Sequence, residues 1–222
     1  MTIPDSLDSE ELHAKRQTVG DTGRQMLEEG LTKATGGNVS SRVGDNHVAV
    51  SPSGVPYPDI EPEDVPLVDL DAELIDGDLE PSAETPMHTA VYCERDDVGG
   101  IIHTHSPYAS TFASLSEPIE ASHYLIAYAG DRVPVAPYET YGTEELGAAA
   151  AETLGDTYNA CLLENHGVLT VGETIEGAFE TALMVEYCAR IHYQARTIGD
   201  PTILSDEEVD RLIERFASYR TQ

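Results

Sequence analysis

Apolar and polar positions recur along the chain with two periods, and the changes of period mark out its elements. Leu12, Val19 and Leu27 fall at helical spacing between Leu7 and Leu31, which predicts an amphipathic helix stopping near Gly30. A glycine turn, Thr35-Gly36-Gly37-Asn38, leads into Val39-Ser40-Ser41-Arg42-Val43, whose alternation reads as a strand. His47 to Val50 supplies a hairpin partner and ends in the turn Ser51-Pro52-Ser53-Gly54. Residues 55–81 are rich in Pro and Asp, with short strands expected around Val65–Leu70 and Glu73–Ile75. Ser82-Ala83-Glu84-Thr85-Pro86 reads as a helix start, with Ser82 as cap and Pro86 in the first turn, running to about Glu94.

The apolar run Val98-Gly99-Gly100-Ile101-Ile102 predicts a buried strand that ends in His103-Thr104-His105, and Ser106-Pro107-Tyr108 opens another helix. Further strands are expected at Arg132–Val135, Ala160–Glu164 and Gly167–Val171. Helices are expected over Thr143–Thr153 and Thr174–Thr197, with a short last one from Ser205, where Ser205 and Glu208 have capping-box spacing. There is no internal repeat, low-complexity linker or domain seam, so residues 1–222 are expected to form one domain. Strands and helices alternate without βαβ regularity, which suggests a mixed sheet covered by helices.

Charge narrows the partners. Against 41 Asp and Glu stand only 12 Lys and Arg, for a formal charge of -29, and Lys15 and Lys33 are the two lysines. Such a surface repels nucleic acid and anionic lipid, so neither nucleic acid nor membrane is an expected partner. The acids are scattered rather than gathered in a tail, the pattern of a halophilic protein whose self-repulsion is screened by salt. Cys93, Cys161 and Cys188 lack CxxC spacing and fit a reducing interior. The stretch Met1–Ser6 has no apolar core of a signal peptide, and no apolar run approaches the ~20 residues of a membrane span. A cytoplasmic protein is expected.

The chemistry centres on His103 and His105. Residues two apart in an extended segment share a face, so both imidazoles leave one strand end side by side, able to close on one metal ion. Cys161-Leu162-Leu163-Glu164-Asn165-His166-Gly167 is a buried strand running into a polar turn, and puts His166 forward as a third ligand. A lone histidine there has the ordinary alternative of a satisfied core or surface residue. His13, His47 and His192 look exposed and uninvolved, whereas His88, four residues after Glu84 and able to share its helix face, is a fourth candidate, read in preference as packing beneath the site. Glu84 sits in the first turn of its helix, where backbone amides favour a carboxylate, and such a carboxylate beside a metal-held carbonyl can take a proton from the neighbouring carbon. The turns at Gly36-Gly37-Asn38 and Ser53-Gly54, with Ser82, offer amides and hydroxyls that can hold a phosphate without lysine, or serve as ordinary turns.

Taken in order, these residues resemble the class II aldolase/adducin superfamily, and within it the fuculose-phosphate aldolase branch. The resemblance rests on Gly37-Asn38-Val39-Ser40, Pro52-Ser53-Gly54, Pro81-Ser82-Ala83-Glu84, His103-x-His105, Ser122–Ala127, Ala136–Thr143, Leu163–Gly167, Leu204–Glu208 and Phe216–Tyr219. It implies an α/β fold, a three-layer α/β/α arrangement with a central mixed, largely antiparallel sheet. It implies Zn2+, or another divalent ion, on His103, His105 and His166, with Glu84 approaching the metal and serving as acid and base. Gly37, Asn38, Ser53, Gly54 and Ser82 match phosphate-holding loops. Tyr124 matches a tyrosine that exchanges a proton with the aldehyde oxygen and reaches the site from a neighbouring subunit of a homotetramer, and Tyr219 one that closes over the substrate. The implied reaction is reversible cleavage of a ketose 1-phosphate, such as L-fuculose 1-phosphate, to dihydroxyacetone phosphate and an aldehyde, L-lactaldehyde in that case.

There are departures. Ala83 stands where many relatives carry a second serine, Tyr141 where the aldolase usually has phenylalanine, and Arg220 is the one basic residue after Tyr219 to stand for one that some relatives carry there. The alternatives within the superfamily are a pentulose-phosphate 4-epimerase, against which Tyr124 argues, and a methylthioribulose-1-phosphate dehydratase. A binuclear zinc hydrolase would want Asp-His after His105, where Ser106-Pro107 stands. A non-catalytic adducin-like module would have lost its ligands, and all three histidines and Glu84 are present.

Overall fold

The sheet forms around the run that ends in the paired histidines. In the computed structural model, which describes residues 7–220 and side chains through residue 216, this run is β5 (Gly100–Thr104), buried at every position. On one side β5 pairs antiparallel with β1 (Asn38–Val43), which continues through β2 (His47–Val50), β3 (Leu67–Asp69) and β4 (Leu74–Asp76). On the other it pairs antiparallel with β8 (Gly167–Gly172), followed by β7 (Ala160–Leu163) and the two-residue β6 (Val135–Ala136). The order is β4-β3-β2-β1-β5-β8-β7-β6, eight strands, with β6–β7 the parallel pair. The expected α/β fold with a mixed, largely antiparallel sheet is the fold observed.

Helices cover both faces. α2 (Thr85–Glu94) and α4 (Glu144–Leu154) share a core with Ile101, Leu169 and Val171. The other face takes α1 (Ser9–Glu28), α3 (Pro107–Leu115), α5 (Ile175–Ile198) and α6 (Asp206–Arg220), over Val39, Ile102 and Leu162. Strand alternation sends Ile101 and His103 to the α2 side and Ile102 to the α1–α5 side, so the first metal-candidate histidine points toward the helix that begins beside Glu84.

Three expectations are corrected. Ser82 is not the cap of α2, because Glu84 is the cap residue. The Glu84 carbonyl accepts the amides of Met87 and His88 at 3.0 and 3.4 Å, while Ser82 closes a tighter turn in front, its Oγ accepting from the Glu84 amide at 3.3 Å. His192 is buried rather than exposed, its ring on Phe112 and its Nδ1 bonded to the Ser122 hydroxyl at 2.8 Å. The strand expected over Arg132–Val135 shrinks to Val135–Ala136, since Val133 instead pairs with Ile119. The Tyr124–Tyr128 segment forms a 3-10 turn for which the apolar pattern gave no signal. Among the described residues, no helix is long and apolar enough to cross a membrane.

Candidate metal centre

Three short-range features bring the histidines together. His103 is the penultimate residue of β5 and His105 follows its end, so the strand delivers both. His166 comes from the tight turn between β7 and β8, where Leu163 pairs with Gly167 and Asn165 takes φ 55°. Asparagine tolerates that left-handed conformation better than most side chains. Gly167 must lack a side chain, because a Cβ there would stand 2.4 Å from the Thr104 carbonyl and 3.1 Å from His103 Cε1. The imidazoles use that space, with ring centroids 4.8 Å apart for His103–His105 and for His103–His166.

The hydrogen bonding fixes which nitrogen His103 offers. His103 Nδ1 lies 3.0 Å from the Val168 carbonyl, an acceptor only, so Nδ1 carries the proton and Nε2 the lone pair. That Nε2 faces His105 Nε2 at 3.0 Å. Burial first, and the neighbouring His166 and His105 charges next, hold the His103 imidazole well below its ordinary pKa, and burial lowers His105 in the same direction. Both rings are thus neutral donors. The ligand atoms of His103, His105 and His166 lie within 4.8 Å of one another. Imidazole nitrogens turned toward one another, from buried His103 through half-buried His166 to exposed His105, are what a divalent cation satisfies, and a histidine held by a carbonyl through its other nitrogen is the usual metal-ligand arrangement.

Glu84 stands over this cluster, 8% exposed. Its Oε2 is 3.4 Å from His103 Nε2 and its Oε1 3.3 Å from His166 Nε2. Asn38 donates its amide to Oε2 at 2.8 Å, whereas Oε1 is buried without a hydrogen-bond partner among the described residues. An orphaned carboxylate oxygen beside three imidazoles has the donor set of a divalent-metal site with an attached base.

The loops named for phosphate lie side by side. The Pro52–Pro81 bridge, with Ser53 N to Glu80 O at 2.9 Å, joins the 52–54 turn to the chain before Glu84. Ser53 and Gly54 are exposed there and Ser82 is half-buried. Gly37, at φ 69°, approaches the His103 carbonyl so closely that a Cβ would lie 2.5 Å from it, and the Tyr57 hydroxyl donates to the Gly37 carbonyl at 2.9 Å. Tyr124 lies apart from these loops on the 3-10 turn, 49% exposed, its ring against His123 and Phe216. Tyr219 falls in α6, and its side chain is outside the described residues.

Sequence reasoning missed what supports Glu84. Asn38, expected at the phosphate, has its side chain committed to Glu84 on one end and to His88 on the other at 2.6 Å. Ser40 and Tyr92 extend the contact from His88. The signal was present as Asn38 and Ser40 two apart on one strand face and His88 and Tyr92 four apart on one helix face.

Fold and site together define a mixed-sheet protein with a candidate divalent-metal centre and a carboxylate base beside it. The chain belongs to the class II aldolase and adducin family: residues 17–193 match the model of the class II aldolase and adducin N-terminal domain. It is 44% identical over 212 residues to the 5-deoxy-D-ribulose 1-phosphate aldolase of Bacillus thuringiensis serovar kurstaki, covering 95% of this chain and 99% of that one. It is 37% identical to the 5-methylthioribulose-1-phosphate/5-deoxyribulose-1-phosphate aldolase of Rhodospirillum rubrum, over 93% of this chain and 92% of the relative. Among solved structures, an L-fuculose 1-phosphate aldolase superposes with a TM-score of 0.91 at 39% identity, over 96% of this chain and 99% of that chain.

Proposed function

We propose that the chain cleaves a short ketose 1-phosphate between C3 and C4, releasing dihydroxyacetone phosphate and a small aldehyde, with Zn2+ as the bound ion. The observation that carries this reading is the convergence of the His103, His105 and His166 nitrogens beneath the Glu84 carboxylate. A divalent ion held there supplies Lewis acidity, withdrawing electrons from the substrate carbonyl. The rest falls to side chains of the protein. Glu84 exchanges a proton with C3 through a carboxylate oxygen. Tyr124 exchanges a proton with the C4 oxygen as the aldehyde departs, presented across a homotetramer interface, a role its half-exposed ring suits. Tyr219 closes over the substrate. The phosphate sits against Gly37, the backbone of Asn38, Ser53, Gly54 and Ser82, near the positive end of α2.

We favour 5-deoxyribulose 1-phosphate over L-fuculose 1-phosphate as substrate, a reading supported by 44% identity to the 5-deoxy-D-ribulose 1-phosphate aldolase against 39% to the L-fuculose 1-phosphate aldolase. Cleavage of the first at C3–C4 leaves acetaldehyde and of the second L-lactaldehyde, so the two differ by one CHOH unit at the aldehyde end. The acidic surface supports the further reading that the protein works in a salt-rich cytoplasm. The test is kcat/KM for both sugars in molar KCl, read as dihydroxyacetone phosphate released. Release from either sugar, faster from 5-deoxyribulose 1-phosphate, is expected. Epimerised or dehydrated product without release would replace the aldolase reading by the epimerase or dehydratase one.

A further inference from the structure

Behind Glu84 runs a chain of four side chains across the buried α2 face of the sheet. Asn38 Nδ2 meets Glu84 Oε2 at 2.8 Å, and Asn38 Oδ1 meets His88 Nε2 at 2.6 Å. His88 Nδ1 meets Ser40 Oγ at 2.7 Å, and Ser40 Oγ meets the Tyr92 hydroxyl at 2.9 Å. His88, Ser40 and Asn38 are all buried, His88 at 0% exposure.

Each link constrains the next. A carboxylate accepts, so Asn38 gives it the NH2 and turns its carbonyl oxygen to His88. That oxygen accepts, so His88 Nε2 carries the ring proton and Nδ1 the lone pair. The lone pair accepts, so Ser40 donates to it and in turn accepts from Tyr92. Arg42 closes the far end, its guanidinium over the Tyr92 ring and bonded to the Tyr92 carbonyl at 2.7 Å. The opposite tautomer of His88 would flip the Asn38 amide and set two oxygens 2.8 Å apart at Glu84.

We infer that His88 is a positioning residue, locked as the Nε2–H tautomer, which orients Asn38 so that Glu84 Oε2 is a permanent acceptor and Oε1 is left free for the reacting carbon. The orphaned state of Oε1, 3.3 Å from His166 Nε2, is the counterpart of that division. The role of Oε1 rests on the aldolase reading, whereas the tautomer does not.

Two measurements test this. In the metal-loaded wild-type protein with nitrogen-15-labelled histidine, the His88 resonances, assigned by their loss in His88→Gln, are expected to show a neutral ring protonated at Nε2. A ring protonated at Nδ1, or at both nitrogens, overturns the inference whatever the kinetics show. In kinetics, His88→Phe is expected to lower kcat by about 10–100-fold with KM and bound metal within about threefold. His88→Gln, whose amide can still donate to Asn38 and accept from Ser40, is expected to recover most of the loss. Unchanged kcat in His88→Phe, or equal loss in both variants together with loss of metal, would assign His88 a packing role instead. A wild-type protein that cleaves no ketose 1-phosphate would fail the aldolase reading and leave the tautomer measurement to decide the positioning.

Discussion

His103 donates Nδ1–H to the Val168 carbonyl and so leaves Nε2 bare; His88 does the reverse, Nε2 protonated toward Asn38 and Nδ1 bare toward Ser40. Two buried histidines of one site thus have opposite tautomers, each set by a fixed acceptor on its neighbour. Neutrality has a pH consequence. Burial, then the nearby His103 charge, lowers the His88 pKa from its ordinary 6.5 to about 3. The folded state therefore binds fewer protons than the unfolded chain below pH 6.5, so the stability that neutral His88 contributes is full above that pH and is lost as pH falls toward 3. For metal-free protein at fixed salt, urea unfolding should show a loss of about 2 kcal/mol from His88 alone between pH 6.5 and 5. His88→Gln should show a shallower slope over that interval, and an identical slope would contradict the burial account. At this scale the sequence disclosed the three converging histidines and the glutamate beside them, and hid their supports. Three histidines and a helix-start glutamate have recognisable spacing. Which way the Asn38 amide turns depends on His88, fifty positions away, and no local pattern reports it.

Elements aim these residues. β5 delivers two histidines because a strand repeats its facing every second residue, and the β7–β8 turn delivers the third. These were legible, since a buried apolar run followed by polar histidines needs little tertiary information. The start of α2 was misplaced by two residues because Ser82 has the chemistry of a cap, yet Glu84 takes that position with its side chain turned to the histidines rather than to its own helix. The 3-10 turn at Tyr124–Tyr128 was invisible because five residues are too few to show a period. α2 packs against α4, and Gly147 of α4 sits tight against the first turns of α2. A Cβ there would lie 2.9 Å from the Pro86 carbonyl and 3.0 Å from Ala90 Cβ. Gly147→Val should therefore cost about 1–3 kcal/mol by overpacking in urea unfolding, despite the better helix propensity of valine. It should also lower kcat more than metal content, because α2 carries His88 and begins at Glu84. Unaltered stability would mean that α4 gives way freely and does not fix α2.

At the scale of the whole molecule, the sheet order was beyond the sequence, since strands β1 and β5 meet across more than fifty residues and only packing decides the pairing. The charge was not. With 41 acids against 12 bases, the folded surface repels itself at low ionic strength. Raising KCl from 0.1 to 2 M shortens the screening length from about 10 Å to below about 3 Å, and Tm should rise by several degrees. A Tm that is flat or falling over that range would remove the halophilic reading while leaving the site untouched.

The central claim joins these scales: three imidazoles and Glu84 make one centre for metal-dependent carbon–carbon cleavage. The most direct test is the rate of dihydroxyacetone phosphate release from 5-deoxyribulose 1-phosphate by chelator-stripped protein reloaded with Zn2+, run beside Glu84→Gln in the same assay. The account predicts that release is lost on stripping, returns at one ion per chain, and falls about 100- to 10,000-fold in the metal-loaded variant. Release that survives stripping, or a variant as fast as the wild type, would contradict it.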